Sequence, residues 1–388
     1  MTVDVAVVGG GIVGLATARR LLERHPSWTV AVLEAEHEVG RHQSSHNSGV
    51  LHAGVYYAPG SAKAALCTAG KAAMEQFCDE HGIAVVRNGK LIVALDSSEL
   101  PRFEALVERA TANGVPELRV LDGDELREIE PEAAGIRALH SPTTAVVDFG
   151  AVCRAMAATL PDVRTSTRVQ SVRERSGGVV VETSAGEVEA RVAVVCAGLD
   201  AERMAARTGH RTPLRMVPFR GSWHELTPAG AALVRGNIYP VPDPSLPFLG
   251  VHFTRRADGA VWAGPNAVLS LSRPDLVARA ARRPGLWRLA WRYRSTAVRE
   301  VAEDRLRRLY LRQLRRYVPA LTADHLAHTP RPFGIRAQAI SPAGQLVDDF
   351  VIEGSDRLVH VLNAPSPAAT SSLAIGARIA DEIETRLS

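Results

Sequence analysis

The chain has 388 residues, of which 46% are hydrophobic and 23% charged, a composition typical of a globular protein with two sizeable domains. It has no run of about 18 or more apolar residues, so we expect no transmembrane helix. The N-terminus enters an apolar segment, Val3–Val8, without a basic region or a cleavage site. We therefore expect no signal peptide and a cytoplasmic protein.

Arginine dominates the basic residues of this chain. The net charge is +4 with a pI near 9.0, and only three of the 46 basic residues (Lys63, Lys71 and Lys90) are lysine. Fourteen arginines lie between residues 273 and 316. This segment is interpreted either as a solvated helical surface or as a patch that contacts an acidic membrane surface or an electron-accepting partner. No nucleic-acid motif accompanies the charge, so no nucleic-acid partner is expected.

The four cysteines are Cys67, Cys78, Cys153 and Cys196. They form no CxxC pair, and their spacing matches no zinc-binding pattern. A free cysteine inside a protein behaves as a small apolar residue. We therefore expect four reduced thiols and no metal site.

The first 34 residues have the pattern of a βαβ unit. Val3–Val8 is an apolar run interrupted only by Asp4, as a largely buried parallel strand requires. A glycine-rich turn follows, and Ile12–Arg24 then carries apolar residues at helical spacing until His25-Pro26 ends the helix. Thr29–Leu33 is a second apolar strand, with Glu34 at its tip.

The rest of the chain alternates between helices and strands. Residues 39–60 are rich in Gly, Ser, His and Asn and are too polar for a core. The further predicted elements are a helix over 62–81, a strand over 91–95, a helix over 98–113, strands over 163–195, strand-like segments over 212–270, helices over 273–330, a strand over 358–362 and a helix from about 368 to 387.

The turn in the βαβ unit is a dinucleotide-binding fingerprint, because residues 9–14 (GGGIVG) satisfy G-x-G-x-x-G between a strand and a helix. Gly9 permits the sharp turn, Gly11 lets the backbone approach a pyrophosphate, and Gly14 lets the helix pack on the strand. The helix N-terminus offers unpaired N–H groups and a partial positive charge. Glu34 can accept hydrogen bonds from both ribose hydroxyls of the adenosine. The nucleotide-binding pattern resumes only near 192–198 and 358–363, and this discontinuity favours FAD over NAD.

The most specific string is HQSSHNSGVLHAGVYY at residues 42–57, followed by PGS at 59–61. Other strings are PFRG at 218–221, IYPVPDP at 238–244, PFLGVHFTR at 247–255, GPNA at 264–267, GIRAQA at 334–339 and NAPSPAATS at 363–371. Together they resemble the L-2-hydroxyglutarate oxidase/dehydrogenase family, a branch of the D-amino-acid-oxidase-like flavoproteins. The resemblance spans about residues 3–380 and is weakest over 273–316.

The resemblance implies an α/β fold (an α+β two-domain flavoprotein) in which a Rossmann-like FAD-binding domain carries an antiparallel-sheet substrate domain. The FAD-binding domain is assigned to residues 1–85, 140–212 and 331–388, and the substrate-binding domain to 86–139 and 213–330.

The implied reaction is FAD-dependent oxidation of a short 2-hydroxy acid, with L-2-hydroxyglutarate as the leading substrate and 2-oxoglutarate as the product. A hydride passes from C2 to flavin N5 while a base takes the hydroxyl proton. Oxidation of an amino acid or another 2-hydroxy acid is the alternative, since the fold alone does not separate these reactions. A flavin-bearing binding protein without turnover is a third interpretation. Oxygen, a quinone and a soluble carrier all remain open as electron acceptors.

Arginines and histidines are the first candidates for the substrate site. Arg220 and Arg336 are predicted to bind the substrate carboxylates, because the arginine fork binds carboxylate bidentately and both lie among small or apolar neighbours. His52 and His252 are the candidates for the base. Structural ion pairs and hydrogen-bonded histidines are the alternatives.

The remaining candidates are hydrogen-bond donors and residues that contact FAD. Tyr239 and Tyr57 could donate to a substrate carboxylate, or only pack. The turn before the last helix would present N–H groups and a positive dipole end to the N1/O2 edge of reduced flavin, which is negatively charged. Besides the glycines and Glu34, the predicted FAD contacts are Ser44, Ser45, Ser48, Val169, Gly198, Pro365, Ser366, Ala368, Ala369 and Thr370.

Overall fold

The structure is a computed structural model that describes residues 2–387. Its strands are β1 (Thr2–Val8), β2 (Val30–Leu33), β3 (Val50–Leu51), β4 (Lys90–Ala94), β5 (Arg119–Asp122), β6 (Arg137–Ser141), β7 (Ala145–Val146), β8 (Val163–Arg164), β9 (Val169–Arg175), β10 (Gly178–Thr183), β11 (Gly186–Val195), β12 (Arg215–Ser222), β13 (His224–Glu225), β14 (Asn237–Pro240), β15 (His252–Arg255), β16 (Val261–Gly264), β17 (Val268–Leu269), β18 (Phe333–Ile340), β19 (Val351–Gly354) and β20 (Leu358–Asn363). Its α-helices are α1 (Ile12–Arg24), α2 (Ala62–Glu80), α3 (Leu100–Ala112), α4 (Gly123–Ile129), α5 (Phe149–Ala158), α6 (Ala201–Arg207), α7 (Pro228–Ala231), α8 (Pro274–Ala281), α9 (Pro284–Arg292), α10 (Arg294–Arg305), α11 (Arg307–Leu314) and α12 (Ser372–Leu387).

The first sheet is built around the N-terminal βαβ unit. Its strand order is β19-β20-β11-β1-β2-β8, with β9 and β10 continuing from β11 as antiparallel strands. The pairs of β1 with β2 and β11, of β2 with β8 and of β11 with β20 are all parallel. Val5 and Val7 of β1 pack toward α1, α5 and α12, whereas Ala6 and Val8 pack toward β9 and β10. Because both faces are covered, the second half of β1, Val5–Val8, has the continuous apolar sequence of a buried parallel strand.

A second sheet of seven strands has the order β13-β16-β15-β14-β4-β6-β5, and all its pairs are antiparallel except β14 with β4. A third, three-stranded sheet has the order β17-β12-β18. Strand β18 comes from the segment that the sequence assigns to the FAD-binding domain, yet it pairs along its whole length with β12 from the other assigned domain. The three-stranded sheet therefore joins the two parts of the molecule.

Two predicted helical segments are shorter in the structure. The last helix, α12, begins at Ser372 and not near residue 368, because residues 365–371 form turns in which the amides of Ala368 and Ser371 donate to the carbonyls of Pro365 and Pro367. The arginine-rich helices end with α11, and not at residue 330, where prolines at 319, 330 and 332 remove backbone donors. Across residues 2–387, none of the helices combines the length and apolar character that crossing a bilayer requires.

Candidate active site

The glycine-rich loop is shaped by contacts that leave no room for side chains. Gly9 has φ of 109°, and a Cβ there would lie 2.5 Å from the carbonyl oxygen of Cys196. A Cβ on Gly14 would lie 2.1 Å from the carbonyl oxygen of Gly9. Helix α1 therefore starts directly against the tips of β1 and β11, as the fingerprint predicts.

The same loop keeps free backbone donors at the start of α1. The amide of Gly10 donates to Glu34 Oε2 over 2.7 Å, and the amide of Ile12 donates to Ser44 Oγ over 3.0 Å. The amides of Gly11 and Val13 have no protein acceptor in the described part of the chain. A helix N-terminus with such free N–H groups fits the pyrophosphate of a dinucleotide.

Glu34 ends β2 in a buried position, with 7% of its surface exposed. Its Oε1 accepts the amide of Glu36 over 2.8 Å, and its Oε2 accepts the amide of Gly10. Each carboxylate oxygen can accept a second hydrogen bond. The carboxylate is thus held in place at the point where the fingerprint predicts the adenosine ribose.

The turn before α12 is fastened to the loop that contains His52. Thr370 Oγ1 donates to the carbonyl of Val50 over 3.2 Å and accepts the amide of His52, also over 3.2 Å. The hydroxyls of Ser371 and Ser372 are buried at the start of α12 without a partner among the described residues. Buried polar groups are normally hydrogen-bonded, so these hydroxyls and the N-terminus of α12 fit a polar ligand such as the flavin edge.

Three further residues predicted to contact FAD, Ser45, Gly198 and Val169, lie in different parts of the FAD-binding half. Ser45 Oγ donates to the carbonyl of Gly40 over 2.6 Å, and Gly198 adopts φ of 51° beside Gln43. Val169 packs in the apolar cluster that covers β1 and β2.

Two of the predicted residues contact tyrosines. Ser48 faces the hydroxyl of Tyr239, on the substrate side of the loop, and Ser366 faces the hydroxyl of Tyr57. Pro365, Ala368 and Ala369 lie half-buried in the turn. Tyr57 is therefore next to the turn before α12, and Ser48 is next to Tyr239.

His252 and Tyr239 form the centre of the predicted substrate side. Their rings stack with centroids 4.0 Å apart. His252 Nδ1 lies 2.8 Å from the carbonyl of Gly250, and since a carbonyl only accepts, Nδ1 carries the proton and Nε2 has a free lone pair. Burial, together with the positive charges of Lys90 and Arg336, lowers the pKa of His252 to about 3. The imidazole is neutral and able to accept a proton.

His52 follows β3 and lies near this pair. Burial is the main cause that holds the pKa of His52 well below its ordinary value, and the positive charge of Lys90 lowers it further. Its Nδ1 is buried and has no partner among residues 2–387. The structure thus brings the two predicted bases together, each neutral and each with a free nitrogen.

The register of β12 with β18 separates the two predicted arginines. Arg336 lies opposite Phe219 and Arg220 opposite Ile335, so their side chains leave opposite faces of the sheet. The guanidinium of Arg336 stacks 4.4 Å from the ring centroid of Phe248, on the side of His252, and the residue is exposed to solvent.

Arg220 stacks over Phe333 at 4.9 Å on the other face. The structure brings Arg336, but not Arg220, to the histidines. Carboxylate binding by either residue stays a prediction.

Sequence reasoning missed three polar side chains at this place. The Lys90 Nζ lies 4.3 Å from the ring centroid of Tyr239 and 5.2 Å from that of Tyr56. The Tyr56 hydroxyl is buried without a partner in the described chain, and Thr254 Oγ1 lies 3.3 Å from the Tyr239 hydroxyl. The sequence did contain a signal for Lys90, because a lysine at the start of an apolar strand is unusual in a chain with only three lysines.

The residues gathered here can bind an anion and accept a proton, and they are not arranged to bind a metal. Within residues 2–387, no group of three or more His, Cys, Asp and Glu side chains is placed to hold a metal ion. All four cysteines are free thiols, and burial raises the pKa of each of them.

Comparison with known proteins connects this geometry to a family. The model of the FAD dependent oxidoreductase (DAO) family matches residues 4–382. The chain belongs to the FAD-dependent oxidoreductase family. FAD as the cofactor and the assignment as an oxidoreductase, both predicted from the sequence, are thereby confirmed.

Curated relatives align over nearly the full chain. A mitochondrial L-2-hydroxyglutarate dehydrogenase from Nematostella vectensis is 44% identical over 99% of this chain and 91% of its own. The mitochondrial L-2-hydroxyglutarate dehydrogenase from Homo sapiens is 40% identical over 99% and 89%, and the enzyme from Escherichia coli strain K12 is 40% identical over 99% and 94%. The resemblance inferred from the sequence strings is confirmed.

Solved structures show the same fold at low sequence identity. A dithionite-reduced L-α-glycerophosphate oxidase from Mycoplasma pneumoniae with FAD bound superimposes with a TM-score of 0.78 at 20% identity, covering 99% of this chain and 95% of that one. Glycine oxidase from Geobacillus kaustophilus gives a TM-score of 0.73 at 21% identity and the same coverage. The predicted two-domain α/β fold class is confirmed.

Proposed function

We propose that the protein oxidises L-2-hydroxyglutarate to 2-oxoglutarate. The observation that carries this proposal is identity of 40–44% over 98–99% of the chain with proteins named L-2-hydroxyglutarate dehydrogenase. The site supports it, because Lys90 approaches both histidines and Arg336 approaches His252, and no carboxylate of residues 2–387 lies within 4.0 Å of either cation. Unpaired cations around neutral histidines are suited to an anionic hydroxy acid.

Bound FAD supplies the acceptor for the hydride that leaves C2. The glycine-rich loop, Glu34 and the start of α12 are the residues proposed to hold it. In the proposed reaction Arg336 orients a substrate carboxylate through its planar fork. One of the imidazoles, His52 or His252, accepts the hydroxyl proton. The bound dianion raises the pKa of both histidines from their depressed values, because a nearby negative charge favours the protonated form.

The test is anaerobic reduction of the flavin in the purified holoenzyme. L-2-Hydroxyglutarate should bleach the visible absorbance of the oxidised flavin and yield stoichiometric 2-oxoglutarate. The D-enantiomer, other 2-hydroxy acids and amino acids serve as controls. Faster bleaching by an amino acid or by another hydroxy acid would assign the protein to the alternative reaction.

We also propose the domain division given by the sequence, with 1–85, 140–212 and 331–388 binding FAD and 86–139 and 213–330 binding substrate. The separate apolar cores support it, one around β1 and α1 and one around β4 and β15. Limited proteolysis tests it: cuts should fall near the assigned boundaries, and cuts concentrated inside either assigned domain would argue against it.

A second proposal concerns the arginine-rich segment, residues 273–316: we infer that it docks on an anionic membrane surface. Trp287 and Trp291 lie one turn apart on α9 and are 64% and 72% exposed. Of the four acidic residues in the segment, Glu300 accepts the amide of Ala267, Glu303 is buried and Asp304 pairs with Arg331, so three carboxylates face the protein; Asp275 is exposed and pairs with Arg273. An exposed surface of arginine and tryptophan is typical of peripheral contact with a bilayer. A cytoplasmic protein, as the sequence predicts, would meet the inner face.

Vesicle co-sedimentation tests this docking. The holoenzyme should bind vesicles that contain phosphatidylserine, release them as salt rises, and ignore pure phosphatidylcholine vesicles. Replacing both tryptophans by serine should weaken binding, whereas Ile136→Ser, at an exposed apolar residue outside the segment, should not. Binding that neither salt nor the double variant reduces would contradict the proposal.

A further inference from the structure

Lys90 differs from the two other lysines in its electrostatic partners. Lys63 Nζ pairs with Asp348 over 2.6 Å, and Lys71 Nζ pairs with Glu75 over 3.1 Å. Lys90 is only 2% exposed, yet no carboxylate lies within 4.0 Å of its ammonium in the described chain. A buried ammonium without a counter-charge is costly, so this lysine destabilises the empty protein.

The ammonium lies in the substrate site. Lys90 is the first residue of β4, which runs between β14 and β6 in the seven-stranded sheet. Its Nζ lies between the rings of Tyr239 and Tyr56, and its charge lowers the pKa of both His52 and His252. Burial lowers the pKa of Lys90 itself to about 7. An anion that enters beside the histidines would compensate the buried charge and keep Lys90 protonated.

We propose that Lys90 binds the distal carboxylate of a dicarboxylate substrate and thereby selects dicarboxylates over monocarboxylates. The proposal rests on the function proposed above. The shapes of the two cations indicate which substrate carboxylate Lys90 binds and which Arg336 binds. A planar guanidinium fixes the orientation of the carboxylate next to the reacting C2, whereas an ammonium attracts a carboxylate as a point charge and suits the end remote from the chemistry.

The first test compares two five-carbon substrates, L-2-hydroxyglutarate and L-2-hydroxypentanoate, which lacks the distal carboxylate. In Lys90→Met the kcat/KM for L-2-hydroxyglutarate should fall about 10- to 100-fold, mainly through KM, because a hydrogen-bonded charge pair is lost. The kcat/KM for L-2-hydroxypentanoate should change less than about threefold. Lys71→Met, which removes the same charge from helix α2, is the matched control, and Lys90→Arg should recover part of the preference. An equal fall for both substrates, or a fall in kcat alone, would overturn the proposal.

A second readout needs no turnover. Glutarate has both carboxylates but no hydroxyl, so it should raise the Tm of the wild-type and Lys71→Met holoenzymes and not that of Lys90→Met. Stabilisation of Lys90→Met by glutarate to the wild-type extent would also overturn the proposal. The two proposals fail separately: a wild type that glutarate stabilises through Lys90 but that L-2-hydroxyglutarate does not reduce contradicts the function and supports the binding role.

Discussion

The packing of α1 on the glycine-rich loop predicts a sharp difference between two alanine substitutions. In Gly14→Ala the methyl group would lie 2.1 Å from the carbonyl oxygen of Gly9 and 3.3 Å from Val7. Neither backbone can rotate away, so α1 must move by about 1 Å, and overpacking of this kind costs roughly 3 kcal/mol at the upper end. Alanine regains about 1 kcal/mol as a better helix former. We expect a net loss of about 2 kcal/mol in the apoprotein and an FAD Kd raised at least about tenfold.

Gly11→Ala is the matched control within the same motif. Its methyl group would meet only Ser44 Oγ, at 3.3 Å, and a shift of a few tenths of an ångström relieves this contact while keeping the hydrogen bond from the amide of Ile12. The apoprotein should therefore keep its Tm, while FAD affinity falls because the methyl group fills the approach of the pyrophosphate. Circular dichroism melts of the apoproteins and FAD titrations by tryptophan fluorescence measure the two effects. Equal Tm values for both variants, or unchanged FAD affinity in Gly11→Ala, would refute this account of the loop.

Three further predictions concern the substrate side. Arg336→Met should raise the KM for the hydroxy acid about 10- to 100-fold with little change in Tm. Arg220→Met should raise this KM much less, because the Arg220 side chain leaves the other face of the sheet. Steady-state kinetics in which Arg220→Met raises the KM more than Arg336→Met would contradict the argument from strand register. Replacing the proposed base, His52 or His252, by asparagine should lower the rate of flavin reduction about 10²- to 10⁴-fold, and stopped-flow traces in which neither variant slows would remove both candidates. The pKa of Lys90 is 10.5 in the unfolded chain and about 7 in the folded protein, so protonation of Lys90 favours unfolding. Lys90→Met should therefore be more stable than the wild type, by an amount that is largest below pH 7 and shrinks toward pH 10.5. A Tm difference between the two proteins that does not change with pH would contradict this prediction. The titratable groups that influence Lys90 or are influenced by it are Cys67, His52, His252 and, through their rings, Tyr56 and Tyr239.

The nucleotide-binding half was predictable because its signals are local. The apolar run of β1, the spacing of Gly9, Gly11 and Gly14, and the position of Glu34 each follow from backbone geometry within a few residues. Helix α1 has the predicted bounds. The start of α12 was predicted four residues early, because the turns of residues 365–371 depend on their own carbonyls and on contact with β3.

The substrate side was less predictable because it is assembled from distant strands. Arg220 and Arg336 look alike in their local sequences, and only the pairing of β12 with β18 shows that they point to different faces. The lack of a carboxylate near Lys90 among residues 2–387 is likewise a property of three dimensions, since it depends on what β14 and the His52 loop bring near β4. Ser48 lies in the loop expected to contact FAD, yet it faces Tyr239 across the site.

The position of α12 has a consequence for how the protein is made. Gly376 of this helix packs so closely on α1 that a Cβ would lie 2.7 Å from the backbone of Ala16, and Arg24 is anchored by Asp381 and Glu384. Residues of α2 and α5 cover part of the apolar face of α1, but the part that contacts α12 has no cover until more than 330 residues after α1 have been synthesised. A chain truncated before Ser372 would leave that part of α1 exposed to solvent.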